Sequence, residues 1–417
     1  MVDPYVDKRS GLLILLIGML CVGCRPEADE PEIHRPRRLL ADPQAATYLV
    51  EAQQALYQGA VGVALALVDS AEHHADPKSD TFLADIAFLR GRIQSELHHA
   101  EEATRAYERV LALDPTYRGA WLNMGNLAFR RGQFREALRY YRSEYALYGD
   151  PKILVYMGHG YAELGKVDSA RYEYERAIMQ NDSLAEAYIR LAVLHEDNGE
   201  VEQALSNAQR ALALRPEDPD YRYIVGNALL QSGNLAEAEA QLRRTIEQQP
   251  GHAKAHYSLG AVLARLGKQD EAERYLAKVD GLQQIEESID TFERRTRLYP
   301  DDPAAWVTYG YALNRAGRIT DAIRAFQVAL YKGTATPDVH MLLANAYMKH
   351  HQLEEALAHY DAALQHDTSY VGAWVNKGIC LARMGRPEAA RQAWETALRL
   401  DPDQPQAREY LAGLTAP

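Results

Sequence analysis

The fold is decided by residues 118–137, RGAWLNMGNLAFRRGQFREA. Apolar residues recur in this segment every three or four positions on either side of Gly132, a spacing typical of two amphipathic helices joined by a tight turn. Gly125 and Ala137 stand twelve residues apart, and side chains this small let two antiparallel helices approach closely. The segment therefore predicts a helix, a turn and a second helix packed against the first.

The same pattern recurs along most of the chain, with a period of 34 residues from Pro151 to Ala185 and from Ala185 to Pro219. A fixed period predicts a repeat protein, in which each hairpin buries its apolar side against its neighbours. We place ten units, which begin near Ala45, Ala84, Arg118, Pro151, Ala185, Pro219, Ala253, Pro303, Pro337 and Val371. Eight turns contain a glycine: Gly59, Gly132, Gly165, Gly199, Gly233, Gly267, Gly317 and Gly385.

Eight of the ten units also carry a complementary pair of positions. Position 8 holds a small residue, and we expect a large side chain at position 24 to fill the space beside it. The position-24 residues are Tyr107, Tyr141, Tyr174, Leu242, Leu276, Phe326, Tyr360 and Trp394.

These features together resemble the tetratricopeptide repeat, and the segments Ala120–Asn126 and Gly372–Gly378 match its Trp-x-x-x-Gly motif closely. The resemblance covers about residues 45–415. It implies an all-α fold, a right-handed superhelical solenoid of about ten helix-turn-helix units, with a C-terminal capping helix near residues 405–414.

Two departures from the period are expected to be visible in the structure. The units at Ala253 and Pro303 are 50 residues apart rather than 34, and the irregular insertion lies near 281–302. We expect an elongated or additional helix there that changes the superhelical pitch, with a hinge as the alternative. About five extra residues before Ala84 are expected to lengthen a helix or a loop.

The first 23 residues have the pattern of a signal peptide. Lys8 and Arg9 precede an uncharged run over residues 11–23, which as a helix would span roughly 20 Å against about 30 Å for a bilayer core. Residues 20–24, LCVGC, resemble a bacterial lipobox, which implies lipidation of Cys24. An ordinary cleaved signal or a buried apolar helix is the alternative. Arg25 after the cysteine implies the periplasmic face of the outer membrane.

Residues 24–44 are predicted to be an extended tether between this anchor and the repeats. Four prolines lie among charged residues in this stretch, at positions 26, 31, 36 and 43, so it cannot bury a core. Its arginines at positions 35, 37 and 38 could instead contact anionic headgroups. The net charge of the chain is -12, which argues against nucleic acid as a partner.

The resemblance also implies a binding surface, because the first helices of such repeats line a concave groove. Aromatic rings and Asn amides suit an extended peptide or a partner protein. Glu163 and Asp197 precede a basic series along this groove, so we expect its C-terminal half to favour acidic or C-terminal carboxylate partners, unless these are ordinary solvated charges. The partner-binding candidates are Asn126, Phe129, His159, Asn227, Tyr257, Arg265, Tyr311, Arg315, Asn345, Lys349 and Arg383.

No motif in the sequence predicts chemistry. The adjacent histidine pairs lack the i, i+4 spacing of a helical zinc site, and no HExxH motif or phosphate loop is present. We therefore predict no catalytic residue, no cofactor and no metal ligand, and we expect Cys380 to be packed and inert. The sequence favours a protein-protein interaction scaffold or assembly adaptor of the bacterial cell envelope. The alternative is a regulatory or accessory subunit of an envelope hydrolase or glycosyltransferase. The oligomeric state is not predicted.

Overall fold

The computed structural model describes residues 43–333 and 335–415, and every regular element in them is an α-helix. The predicted all-α fold class is confirmed. Cys24 and the predicted signal and tether before residue 43 lie outside the described residues. The helices, numbered in chain order, are α1 (Pro43–Tyr57), α2 (Val61–His74), α3 (Asp80–Glu96), α4 (Ala100–Leu113), α5 (Ala120–Arg130), α6 (Phe134–Tyr148), α7 (Pro151–Glu163), α8 (Val167–Gln180), α9 (Ala185–Asp197), α10 (Val201–Leu214), α11 (Pro219–Gln231), α12 (Leu235–Gln248), α13 (Ala253–Arg265), α14 (Gln269–Leu276), α15 (Val279–Leu298), α16 (Pro303–Arg315), α17 (Ile319–Tyr331), α18 (Pro337–Lys349), α19 (Leu353–His366), α20 (Val371–Arg383), α21 (Pro387–Leu400) and α22 (Pro405–Thr415).

The helices form ten hairpins that match the predicted units. Repeats 1 to 7 are the pairs from α1/α2 to α13/α14, and repeats 8 to 10 are α16/α17, α18/α19 and α20/α21. We call the two helices of each repeat A and B. From repeat 4 onward every predicted unit start is the first residue of its A helix. The extra residues before Ala84 lengthen helix α3, which begins at Asp80.

Proline and an acidic cap fix the start of several A helices. Asp150 precedes Pro151, and its carboxylate accepts a 2.9 Å hydrogen bond from the backbone N–H of Lys152. Asp302 caps α16 in the same way, through the N–H of Ala304 at 3.0 Å. Proline fits the first helical position because its missing N–H has no helical partner there.

The A–B turns require a left-handed residue. All eight predicted turn glycines have φ between +69° and +83°. Repeats 2 and 9 have no glycine at this position, and His98 (φ 59°) and His351 (φ 62°) adopt the left-handed conformation instead. The turn geometry is therefore kept even where the sequence makes it costly.

In the seven repeats that have a glycine at position 8, this glycine faces the large side chain at position 24, as predicted. A methyl group placed on Gly158 would lie 2.3 Å from a ring carbon of Tyr174, and one on Gly378 would lie 2.2 Å from the indole nitrogen of Trp394. The absence of a side chain at these glycines is what allows the two helices to approach. The same pairing joins Gly91 to Tyr107, Gly125 to Tyr141, Gly226 to Leu242, Gly260 to Leu276 and Gly310 to Phe326.

The insertion after repeat 7 forms the additional helix α15. Ala277 and Lys278, which link α14 to α15, both keep right-handed helical dihedral angles. The two helices do not fold back on each other; α15 packs instead on α13 and α16. Residues 269–298 therefore form one bent helical rod, about 45 Å long at 1.5 Å per residue.

The rod displaces repeats 8 to 10 along the helix direction. The turn after α16 reaches the start of α13, where a methyl group on Gly251 would lie 3.3 Å from the carbonyl oxygen of Ala316. In an unbroken array the two A helices would lie side by side. Here the end of α16 meets the beginning of α13, an offset of about one helix length.

This offset brings repeat 8 against repeats 1 and 2, in a contact that we call the clasp. Gln58 and Gly62 of repeat 1 and His99 of repeat 2 meet Gln327, Tyr331 and Lys332 of repeat 8. Helix α2 packs on α17, and one apolar cluster joins residues of repeats 1 and 2 to residues of repeats 8 and 9.

The C-terminal end of the array is covered by α22, as predicted. Ala407 is fully buried, and the ring of Tyr410 stacks on Trp394 with 5.2 Å between centroids. No helix in residues 43–415 combines the length and the apolar character that crossing a bilayer requires.

Candidate binding groove

The A helices line the inner side of the array. A helices of neighbouring repeats pack on each other, for example α9 on α11 and α18 on α20, whereas no two successive B helices in the described chain form a comparable contact. Elements that approach one another lie on the inside of a curve. The groove is therefore the surface of the A helices.

The predicted groove residues fall into three classes of exposure. Tyr257 and Tyr311 are 60% and 51% exposed, so both rings are available to a partner. The exposed basic residues are Arg265, Arg315, Lys349 and Arg383. Asn126, Phe129, Asn227 and Asn345 are half-buried, and His159 is buried.

Three basic side chains form a continuous row in repeats 8 to 10. Arg315, Lys349 and Arg383 each end an A helix, and these three helices are consecutive neighbours. The ammonium group of Lys349 donates a 2.9 Å hydrogen bond to Asn314 of the preceding repeat, so the row is closely spaced. A row of this kind attracts carboxylates.

Arg265 does not belong to this row. It lies at the last residue of α13, whereas the residue after Arg315 lies against Gly251 at the opposite end of that helix. A 13-residue helix is about 20 Å long, so the two arginines are separated by roughly that distance. Arg265 instead donates to the backbone carbonyl of Leu230 at 3.3 Å. The basic series predicted from the sequence is thus divided by the α14–α15 rod.

The asparagines mostly connect neighbouring repeats. The amide oxygen of Asn345 accepts hydrogen bonds from Tyr360 (2.7 Å) and from Asn376 of the next repeat (3.0 Å). Asn227 accepts from Ser258 at 3.1 Å and donates to Glu196, which satisfies both ends of its amide. These bonds set the spacing of the A helices and leave little of Asn227 for a ligand.

The side chains of His159 and Phe129 pack against other rings of the protein and are not exposed in the groove. His159 is 5% exposed, lies edge-on to the rings of Tyr156 and Tyr174, and has its Nε2 3.5 Å from Glu186. The structure therefore removes His159 from the accessible groove residues. Phe129 makes an edge-to-face contact with Phe134, at 5.2 Å between centroids.

The middle of the groove is acidic, and part of its charge comes from α15. Burial raises the pKa of Glu196 and of Asp197. Burial also raises the pKa of Glu286 in α15, whose carboxylate accepts a hydrogen bond from the backbone N–H of Ala253 at the start of α13. Sequence reasoning did not place α15 at the groove. Its repeated acidic residues gave no indication of which repeat they would face.

No catalytic arrangement emerges from these contacts. In the described ranges no three His, Cys, Asp or Glu side chains could hold a metal ion together. Cys380 is fully buried, its thiol donates to the carbonyl of Leu353 at 3.2 Å, and burial raises the pKa of that thiol. An unexposed neutral thiol is a poor nucleophile, which is the inert character expected from the sequence.

Comparison with known families agrees with the helix pairs and their glycine contacts. The tetratricopeptide repeat model matches residues 88–150, 157–219, 189–252, 225–283, 280–339, 341–405 and 381–414. The chain belongs to the tetratricopeptide repeat family. Repeats of this family support a protein-interaction scaffold as the general function.

Individual relatives of this tetratricopeptide repeat protein are distant. Human protein O-mannosyl-transferase TMTC1 is 24% identical over 262 residues, 63% of this chain and 24% of that protein. The CTR9 homolog of Arabidopsis thaliana is 32% identical over 119 residues, 28% of this chain and 11% of that protein. The chain thus spans a quarter or less of these relatives.

Solved structures that match this chain include MamA from Desulfovibrio magneticus RS-1. It is 24% identical, with 39% of this chain and 93% of that chain covered and a TM-score of 0.36. The Cut9–Hcn1 hetero-tetramer is 14% identical, with 89% of this chain and 84% of that chain covered and a TM-score of 0.33.

Proposed function

We propose that this protein is a lipid-anchored scaffold or assembly adaptor of the bacterial cell envelope, which binds an extended peptide or a partner protein in the groove of its A helices. Lipidation of Cys24 would hold the repeats at the periplasmic face of the outer membrane. The pattern of residues 1–24 supports this anchor, since two or more acyl chains give stable attachment.

The observation that carries the binding site is the basic row of Arg315, Lys349 and Arg383, with Tyr311 exposed on the same helices. Exposed aromatic and cationic side chains suit a partner segment that ends in a carboxylate or carries acidic residues. The acidic middle of the groove would repel such a segment, so the partner should dock on repeats 8 to 10.

Charge reversal tests this proposal. Arg315→Glu with Lys349→Glu should weaken capture of the partner by crosslinking in cells, and the loss should shrink as the salt concentration rises. The matched control is Arg244→Glu with Arg274→Glu, which reverses two exposed arginines on B helices. Equal capture by both double variants would refute groove binding at the basic row.

The anchor is tested separately. Cys24→Ser should abolish labelling with a radioactive or alkyne fatty acid and release the protein from the membrane fraction. Retained membrane association without label would contradict the lipid anchor but leave the groove proposal intact.

A second candidate is a regulatory or accessory subunit of an envelope hydrolase or glycosyltransferase. One observation favours it, namely the similarity of the repeats to a protein named as an O-mannosyl-transferase. Capture of such an enzyme, with a change in its turnover on adding the purified chain, would support this candidate over a passive scaffold.

A further inference from the structure

Repeat 9 differs from its neighbours at three positions that pack its two helices together. Position 4 holds a tryptophan in repeats 3, 8 and 10, and the corresponding residue in repeat 9 is His340. His340 stacks between two histidines of α19, with 5.3 Å to the ring of His359 and 5.6 Å to that of His366. The contact between α18 and α19 is thus made partly of imidazoles.

The geometry of the first pair fixes how many protons it can hold. The Nδ1 atoms of His340 and His359 are 3.1 Å apart, much closer than the ring centroids, so the two nitrogens face each other directly. One Nδ1–H must donate to the other Nδ1. Two protonated rings could not form this bond, and they would place like charges in contact.

The pair is connected to the clasp by a chain of contacts. The ring of Tyr347 lies parallel to His359, at 5.6 Å between centroids and 8° between planes. The amide nitrogen of Gln327 donates to the hydroxyl of Tyr347 at 2.7 Å and to the carbonyl of Gln58 at 3.3 Å. A displacement of His359 would therefore reach repeat 1 through two side chains.

The helices pack closely at the clasp, but one buried polar atom there has no hydrogen-bond partner. A methyl group on Gly62 would lie 2.4 Å from the ring of Tyr331, so the two helices touch only because this residue is a glycine. The amide oxygen of Gln327 is buried without a hydrogen-bond partner. Lys332 donates to His99 (2.8 Å) and to the exposed Asp301 (2.5 Å). A buried acceptor without a donor lowers the cost of opening.

We propose that protonation of the imidazoles of repeat 9 opens the clasp at acid pH. Repeats 1 and 2 separate from repeat 8 when a second proton enters the His340–His359 pair. This inference is independent of the identity of the partner. Opening would free the edges of repeats 1, 2 and 8 and change the pitch of the groove.

The charges around the pair support opening of the clasp at low pH rather than at high pH. His366 is the titratable group that adds to the repulsion on His340, and both burial and His366 lower the pKa of His340. Burial and His340 lower the pKa of His359 to about 4. Glu355 lies near Tyr347, and Asp361 of α19 is neutralised by Lys377 at 2.6 Å. No carboxylate pairs with either imidazole nitrogen in the described chain.

The size of the effect follows from proton linkage. A pKa that is lowered in the closed state means that stability is present above pH 6.5 and is lost as the pH falls toward 4. The ratio of open to closed protein should therefore rise as the pH falls from 7 to 5, by up to about twentyfold, the limit reached if opening fully restores the pKa of His359 to 6.5.

Amide hydrogen exchange of the full chain tests the proposal. The readout is the exchange rate of residues 56–64, corrected for the intrinsic effect of pH, at pH 7 and pH 5. The native chain should exchange at least about tenfold faster at pH 5. His359→Phe keeps an aromatic ring beside Tyr347 and should exchange slowly at both values. Gly62→Leu should exchange rapidly at both, because it opens the clasp directly.

The control is His351→Asn, which replaces an exposed histidine of the same repeat by a residue that tolerates its left-handed backbone, and it should keep the acid response. An unchanged rate in the native chain, or an acid response that persists in His359→Phe, overturns the proposal. If His359→Phe does not fold at pH 7, His340→Trp, which introduces the residue of repeats 3, 8 and 10, decides in the same way.

Discussion

The close pairing of position 8 with position 24 can be tested by one methyl group. Gly158 lies inside α7, and a methyl group there would be 2.3, 2.6 and 2.8 Å from three ring atoms of Tyr174. Tyr174 is 2% exposed and has no room to move aside. Overpacking of a core costs about 1–3 kcal/mol. The better helix propensity of alanine offsets at most about 1 kcal/mol of this cost.

The matched control is Gly281 in α15, where a methyl group would meet nothing within 4 Å. Gly281→Ala should therefore stabilise the protein by about 0.5–1 kcal/mol, the ordinary gain for this change within a helix. Both variants add the same atoms to a helix. The difference between them isolates the cost of separating α7 from α8, and we expect Gly158→Ala to be the less stable by about 1–3 kcal/mol.

Urea unfolding followed by far-ultraviolet circular dichroism measures this difference. Because repeat arrays need not unfold in one step, the curves should be fitted with a nearest-neighbour model. If Gly158→Ala stabilises the protein as much as Gly281→Ala does, the helices of repeat 4 are not held at the distance described above.

Three further outcomes are expected. Glu196→Gln should raise the free energy of unfolding at pH 7, because burial raises the pKa of this carboxyl, and the gain should vanish below pH 4.5 in pH-dependent urea titrations. Cys380 should react with a maleimide only in urea, and rapid labelling of Cys24→Ser protein at Cys380 without urea would contradict its burial. Truncation after Asp401 removes the stacking of Tyr410 on Trp394 and should lower the melting temperature, with a red-shifted tryptophan emission as the measurable sign.

Local features of this fold could be predicted from the sequence because their causes are local. The pairing of Gly125 with Tyr141 depends on residues 16 apart in one hairpin, and the period of 34 repeats that relation. The left-handed turns at His98 and His351 follow from the same period even without glycine. The ten units, their boundaries from repeat 4 onward and the capping helix could therefore be predicted from the sequence.

Contacts between distant repeats could not be predicted from the sequence. His99 and Lys332 are 233 residues apart, and nothing in either segment indicates that they meet. Their contact depends on the direction of α15, which is set by the backbone angles of two residues, Ala277 and Lys278. The same cause divides the predicted basic series at Arg265. The burial of His159 between Tyr156 and Tyr174 likewise depends on how much room neighbouring rings leave.

The helical rod of residues 269–298 sets an angle as well as a length. Every residue added to a helix advances its end by 1.5 Å and turns it by about 100°. Inserting a single residue into α15 would swing repeats 8 to 10 away from repeats 1 and 2. Inserting seven residues would nearly restore their orientation and move them about 10 Å further along the axis. The position of repeats 8 to 10 therefore depends on the length of one helix, α15. That position can change in steps of two helical turns without a change in any repeat.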